Sequence, residues 1–176
     1  MKNLPFLPLF IVLSISTSAQ TFGKSKIILQ GKVTELFLAD STEKPLDKVS
    51  IQIWSDNKLV SEIKSAHRGK YRLEAPYKEN YSIKYVQDGY VTKTVELETK
   101  SIKREESAIR LMLTIDISLF KENGACDFGF LNEMPVAKAK VLRRKDNISW
   151  DLDYNKIMQD RIRKEISKVR VSKEAL

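Results

Sequence analysis

Between Ile27 and Phe120 apolar residues recur at every second position, and this narrows the folds open to the chain more than any other feature. A side-chain period of two belongs to a strand with one buried face. The first run covers Ile27 to Leu38, followed by a loop rich in Asp, Ser, Thr and Glu that ends at Pro45-Leu46. Val49, Ile51 and Ile53 then alternate with polar residues, and Ser55-Asp56-Asn57-Lys58 predicts a hairpin turn into Leu59 to Ile63. Arg68-Gly69 precedes a short run, Tyr71-Arg72-Leu73, closed by Pro76. Tyr81, Ile83 and Tyr85 alternate, as do Val91, Val95 and Leu97. Beyond a charged linker, Lys100 to Glu106, the alternation Ile109, Leu111, Leu113, Ile115, Ile117, Leu119 is the longest of all. About seven strands at this spacing predict a mainly β chain folded as a sandwich.

The stretch YVQDGYVTKTVEL, residues 85 to 97, interrupts the alternation with Asp88-Gly89. A two-residue loop there would set Tyr85 opposite Thr92, apolar against polar. A three-residue loop, Gln87-Asp88-Gly89, would instead pair Tyr85 with Val91 and Tyr81 with Val95. Such loops commonly end in a left-handed residue, which glycine adopts freely, and an Asp before it suits a type I turn. The other reading is a corner where the chain crosses between sheets. On either reading Asp88 and Gly89 are structural turn residues.

After Phe120 the pattern changes. Lys121 to Pro135 reads as a loop, Val136 to Leu142 as one more short strand, and Arg143 to Asn147 as a turn. Tyr154, Ile157, Met158, Ile162, Ile166 and Val169 then repeat at helical spacing. The spacing predicts an amphipathic helix over about 152–170, with Asp151 or Asp153 as its N-cap and basic residues in its last turns. The organisation expected is a leader at 1–19, a sandwich over 24–120 and an extension over 121–176.

The leader is read from three regions: Lys2, an apolar stretch from Leu4 to Ile15, and the small residues Ser16 to Ala19. They match a secretory signal peptide cleaved between Ala19 and Gln20. The alternative, a membrane anchor, meets an apolar run too short to span a bilayer comfortably. The expectation is therefore an exported protein, periplasmic, secreted or at the cell surface. The formal net charge of the 176-residue chain is +8, and Lys2 is the leader's only charge. Outside the cytoplasm that charge suggests anionic envelope components or an acidic protein partner and not nucleic acid.

Several chemistries fail on counting. The chain has one His, His67, and one Cys, Cys126. A zinc hydrolase or zinc finger needs more ligands than these supply. A Cys–His hydrolase would need Cys126 beside His67 with an orienting third group, and no nucleophile motif surrounds either. Cys126 reads as a buried small hydrophobe or as the partner in an intermolecular disulfide. Asp127, Glu133, Asp151 and Asp153 lack the spacing of a calcium loop and read as surface or helix caps. Trp54 and Trp150 could stack on sugars, or could pack at the core or a sheet edge.

Gly31-Lys32-Val33, Pro45-Leu46 with Val49 and Ile51, Gly69-Lys70-Tyr71 and Gly89-Tyr90-Val91 occur here in a familiar order. Residues 27 to 98 in this respect resemble the carboxypeptidase regulatory-like domain. The resemblance implies a seven-stranded transthyretin-like, Ig-like β-sandwich, here followed by the C-terminal helix. It differs where that family usually has an acidic residue before its central turn glycine, since Ser65-Ala66-His67-Arg68 precede Gly69. The tail is similar to those of exported proteins from the Bacteroidetes. The family's module is an accessory that supports, positions or binds, so the resemblance implies no enzyme activity, no cofactor and no resident metal.

The function expected is a non-enzymatic interaction or structural accessory of the bacterial cell envelope. Its candidate contacts are Arg143, Arg144, Lys145, Arg161, Arg163, Lys164, Lys168 and Arg170, which could form a basic patch on an amphipathic helix. The alternative is a glycan- or lipopolysaccharide-binding module using an exposed tryptophan together with that helix.

Overall fold

The computed structural model describes residues 26–76, 79–99, 110–122, 124, 126–142 and 147–174, with the backbone alone at 110, 147 and 169–174. The alternation of the sequence becomes strands β1 (Lys26–Leu36), β2 (Glu43–Pro45), β3 (Ser50–Ser55), β4 (Lys58–Lys64), β5 (Lys70–Pro76), β6 (Tyr81–Val86), β7 (Lys93–Glu98), β8 (Arg110–Thr114) and β9 (Ile117–Leu119). Beyond Phe120 come β10 (Ala137–Leu142), β11 (Asn147–Trp150) and one helix, α1 (Leu152–Glu174). The expected leader lies outside the described residues.

The strands form two sheets. In the smaller, β5 and β8 flank the first half of β1, antiparallel and parallel respectively. Its second half pairs with antiparallel β2 and parallel β9. The larger sheet runs β11-β10-β7-β6-β3-β4. Its strands are antiparallel to their neighbours except for β10, which lies parallel to β7. Alternate residues of both sheets meet in one core that includes Ile27, Leu29, Ile51, Ile53, Leu73, Ile83, Val95, Leu97, Leu113 and Leu119. Seven strands were expected up to Phe120 and one more over Val136 to Leu142, and eleven occur among the described residues. The expected strand after Phe120 is β10, and the additional ones are the short β2, the separation of β8 from β9, and β11.

The β3–β4 hairpin forms at Asp56-Asn57, both with positive φ (46° and 62°), between the paired Ser55 and Lys58. Asn and Asp tolerate that conformation because their short side chains bond locally. The next connection departs from expectation. Tyr85 faces Lys93 and Tyr81 faces Leu97, two residues further along than the predicted partners Val91 and Val95. The connection therefore runs from Gln87 to Thr92. Tyr90 N–H donates to Gln87 O (3.0 Å), with Gly89 at φ 76°. With positive φ at Gly89 and not at Asp88, this is the geometry of a type II turn rather than type I. The slip has a tertiary cause. Val91 N–H donates to Phe120 O and Glu122 N–H to Gly89 O, both at 3.0 Å, so two residues are used in docking on the chain after β9. A shift of two preserves which face is buried, and it brings Lys93 into register on the inner side.

Gly69 occupies a second tight position. Its φ is 69°, its N–H donates to Asp47 Oδ1 (2.7 Å), and a Cβ there would stand 2.0 Å from Val33 O. That carbonyl already accepts Leu46 N–H. The residues before Gly69, Ser65 to Arg68, are not acidic, and the carboxylate at this turn comes from Asp47. Alanine at Gly89 meets nothing within 4 Å, so Gly89→Ala should cost about 1 kcal/mol through φ alone. Gly69→Ala should cost clearly more, because backbone must also move. Urea midpoints of the two variants check this ranking, and equal losses would contradict the close approach at Gly69.

Candidate functional site

Helix α1 begins where Asp151 caps it. The carboxylate accepts Tyr154 N–H (3.1 Å) and the Asp151 carbonyl accepts Asn155 N–H (2.9 Å). One stripe faces the sandwich: Met158 is fully buried, and Tyr154, Ile162 and Ile166 are half-buried against it. They pack with Leu38, Val91, Phe120, Phe128 and Leu131 in a second core. Ile157, counted in the stripe from sequence, is 66% exposed. It sits about 100° round the helix from Met158 and misses the contact. The side chain of Val169 lies outside the described residues.

Polar contacts fix the helix in place. Tyr154 O–H donates to Pro135 O (2.8 Å), and Lys138 N–H donates to Asn155 Oδ1 (2.8 Å). The Cys126 thiol donates to Glu165 O (3.1 Å). Burial, followed by the charge of Glu165, pushes that thiol pKa upward, so it stays protonated at neutral pH. Cys126 is therefore only half-buried, a thiol laid against the helix rather than a core hydrophobe.

The expected basic residues are distributed around α1. The Arg161 guanidinium lies 3.9 Å from the Phe130 ring centroid. Arg163 pairs with Asp160 (3.5 Å) and Lys168 with Glu165 (2.7 Å), while Lys164 is exposed. Arg143, Arg144 and Lys145 lie outside the described residues, as does the side chain of Arg170.

Of the concavities among the described residues, one lies beside α1 and another lies away from it at Trp54. The larger, about 700 Å³, lies between α1, the β7–β10 part of the larger sheet with Trp150, and the β8–β9 segment of the smaller sheet. Val95, Ile117, Val136, Trp150, Ile162 and Ile166 line it. Lys93 also lines it and is only 7% exposed. Its ammonium donates to Ser118 O (2.5 Å) and stands 4.5 Å from the centroid of the Phe120 ring. Burial lowers its pKa from 10.5 to about 8, with Glu43 pulling the other way. Glu43 itself accepts from Thr34 Oγ1 (2.8 Å) and Ser118 Oγ (2.9 Å).

The smaller groove, about 420 Å³, is on the outer face of the larger sheet, where Trp54 stands among Asp56, Asn80, Lys84, Glu96 and Glu98. The Trp54 indole N–H donates to Gln52 Oε1 (3.1 Å), and Lys84 Nζ lies 5.0 Å from its ring centroid. Trp54 is on β3 and α1 packs on β10, three strands apart in the sheet. At about 4.8 Å per strand that is roughly 14 Å, so Trp54 and the helix do not form one site. Trp150, by contrast, is beside α1.

Lys93, Glu43 and Ser118 were not among the residues read from sequence as functional. A signal was present: Val91, Lys93, Val95 and Leu97 share one parity, so the lysine interrupts an inward stripe. Among the described residues no group of three or more His, Cys, Asp or Glu could hold a metal ion, and no helix is long and apolar enough to cross a membrane.

No family model and no curated protein matches the sequence. Among solved structures, a minor pilin of Streptococcus agalactiae is similar over 57% of this chain and 47% of its own, at 16% identity and TM-score 0.39. The TIE protein of Bacillus anthracis is similar over 55% and 18%, at 20% identity and TM-score 0.40. A catechol 1,2-dioxygenase of an Acinetobacter species is similar over 61% and 56%, at 12% identity and TM-score 0.38. This chain spans less than two thirds of each of these proteins, and at such scores the likenesses bear on no question of activity or partner.

Lys93 makes stability depend on pH. Its folded pKa of about 8 lies below the ordinary 10.5, so between these values the unfolded chain binds more protons and stability rises with pH. The rise is on the order of 3 kcal/mol, complete near pH 10.5 and absent below about pH 8. Urea unfolding across this window should show a steeper rise for the parent protein than for Lys93→Met. Parallel curves would mean that the amine is solvated in solution.

Proposed function

We propose that the protein is a non-enzymatic, exported accessory module of the bacterial cell envelope, of the carboxypeptidase regulatory-like type, which docks through the outer surface of α1. The observation carrying this reading is the division of labour on that helix. Met158, Tyr154, Ile162 and Ile166 bind it to the sandwich, while Lys164 and Lys168, outside the cleft that Lys156 and Arg163 line, remain exposed. A rigidly held helix with exposed cations suits an anionic surface, where each basic residue near the membrane contributes about 1 kcal/mol. Co-sedimentation with phosphatidylglycerol-containing vesicles, against phosphatidylcholine alone, tests it. Binding should need the anionic lipid and weaken with salt, and Lys164→Gln with Lys168→Gln should together lower affinity roughly thirtyfold. Binding that ignores lipid charge or salt would overturn the reading.

A second reading has its own observation, the groove at Trp54. An indole offers a face to the apolar side of a sugar ring, and amides and carboxylates suit its hydroxyls. Asp56, Glu96 and Glu98 outnumber Lys84 there, which favours a neutral glycan over a phosphorylated lipopolysaccharide. Titration with neutral oligosaccharides should quench or shift the fluorescence of the parent and of Trp150→Phe, and should leave Trp54→Ala unchanged. A response that survives in Trp54→Ala would remove this reading.

A further inference from the structure

We propose that the cleft between α1 and the two sheets binds an apolar molecule that carries one carboxylate, with the Lys93 ammonium as the partner of that carboxylate. Its volume of about 700 Å³ lies in the range of small-molecule sites, and aliphatic side chains with the Trp150 ring make up about half of its wall, polar and charged ones the rest. The ligand's body would lie against Val95, Ile117, Val136, Ile162 and Ile166.

The charges that line the cleft with Lys93 decide what the polar end must be, Glu43 being the one that acts on the ammonium. From β2, Glu43 accepts two hydroxyls, from Thr34 and Ser118. From the β8–β9 step, Asp116 accepts Lys32 N–H (2.9 Å). From α1, Lys156 and Arg163 line the same cleft, Arg163 being paired with Asp160. Both carboxylates are thus already supplied with donors by the chain. An ammonium has three N–H donors, and among the described residues the Ser118 carbonyl is the hydrogen-bond acceptor of Lys93. The unspent capacity at the inner end of the cleft is therefore donor capacity from a cation. A single buried charge is matched by a singly charged anion, since a dianion would remain half uncompensated away from water.

The fold gains little from a lysine at this position by itself. Hydrophobic side chains of similar volume generally serve a sandwich core as well or better than a buried ion. Burial already lowers the Lys93 pKa, and a carboxylate beside it would raise it again. Ligand binding at about pH 8 to 9 should accordingly take up a proton.

Isothermal titration calorimetry of the full chain with decanoate and with 1-decanol, below their aggregation limits, tests the proposal. Decanoate should bind at least about tenfold more tightly than 1-decanol near pH 7, and lose that advantage above about pH 9.5. Titrations near pH 8.5 in buffers of different ionisation enthalpy should report proton uptake with decanoate and none with 1-decanol. Lys93→Met should bind 1-decanol as the parent does and show no preference for decanoate. Where that variant does not fold, protection of Lys93 from reductive methylation by decanoate, read by mass spectrometry on the parent, serves instead. Equal affinity for the two ligands, binding of neither, or an undiminished preference in Lys93→Met would each overturn the proposal. Vesicle docking reads the outer surface of α1, so either result stands without the other.

Discussion

The smaller sheet depends on one strand being paired along both edges. β1 supplies hydrogen bonds to β5 and β8 over its first half and to β2 and β9 over its second. None of those four strands pairs with another of them, so each reaches the sheet only through β1. Backbone groups removed from water must find partners, and here one eleven-residue strand provides them for four others. Its inward side chains, Ile27, Leu29 and Val33, are fully buried, which couples this pairing to the burial of apolar surface.

The sheets are also tied by polar groups within the core. Tyr71 of β5 and Tyr85 of β6 bring their hydroxyls to 2.7 Å, and Tyr71 O–H donates to Ile115 O (2.8 Å). With that proton committed, Tyr85 must be the donor to Tyr71. Burial pushes both phenol pKa values up, so the pair stays neutral and the chain of bonds persists at any ordinary pH. The rings meet edge-to-face at 5.8 Å, adding contact to hydrogen bonding. This satisfied network and the less satisfied Lys93 occupy the same interlayer space. The contrast is physical: a neutral hydroxyl needs one acceptor, whereas an ammonium needs several acceptors and a counter-charge.

Residues beyond Phe120 extend this architecture. β10 continues the larger sheet from β7, and its inward residues Ala139 and Val141 belong to the same core as Ile83 and Leu97. The loop before β10 contributes Phe128 and Leu131 to the second core, on which α1 rests. The helix packs on β10 and faces, across the cleft, the segment of β8 and β9, whose only pairing partner among the described strands is β1. The cleft that contains Lys93 exists only because these three pieces meet there.

Much of this was legible in the residues themselves. Alternation located the strands and their buried faces because side chains of one parity share a face whatever the strand's partner. The spacing of Tyr154, Met158, Ile162 and Ile166 located the helix and its packed side, and Asp151 its start, because capping and amphipathicity are local. Partner choice is not local. The two-residue slip that pairs Tyr85 with Lys93 comes from bonds to Phe120 and Glu122, some thirty residues away. The parallel pairing of β10 with β7, the separation of Trp54 from α1 and the exposure of Ile157 arise in the same way. By itself the sequence determined a mainly β chain with a C-terminal helix. Only the tertiary structure decided that Lys93 would be buried beside Ser118 and Glu43, because burial depends on which strands, distant in sequence, close over a side chain.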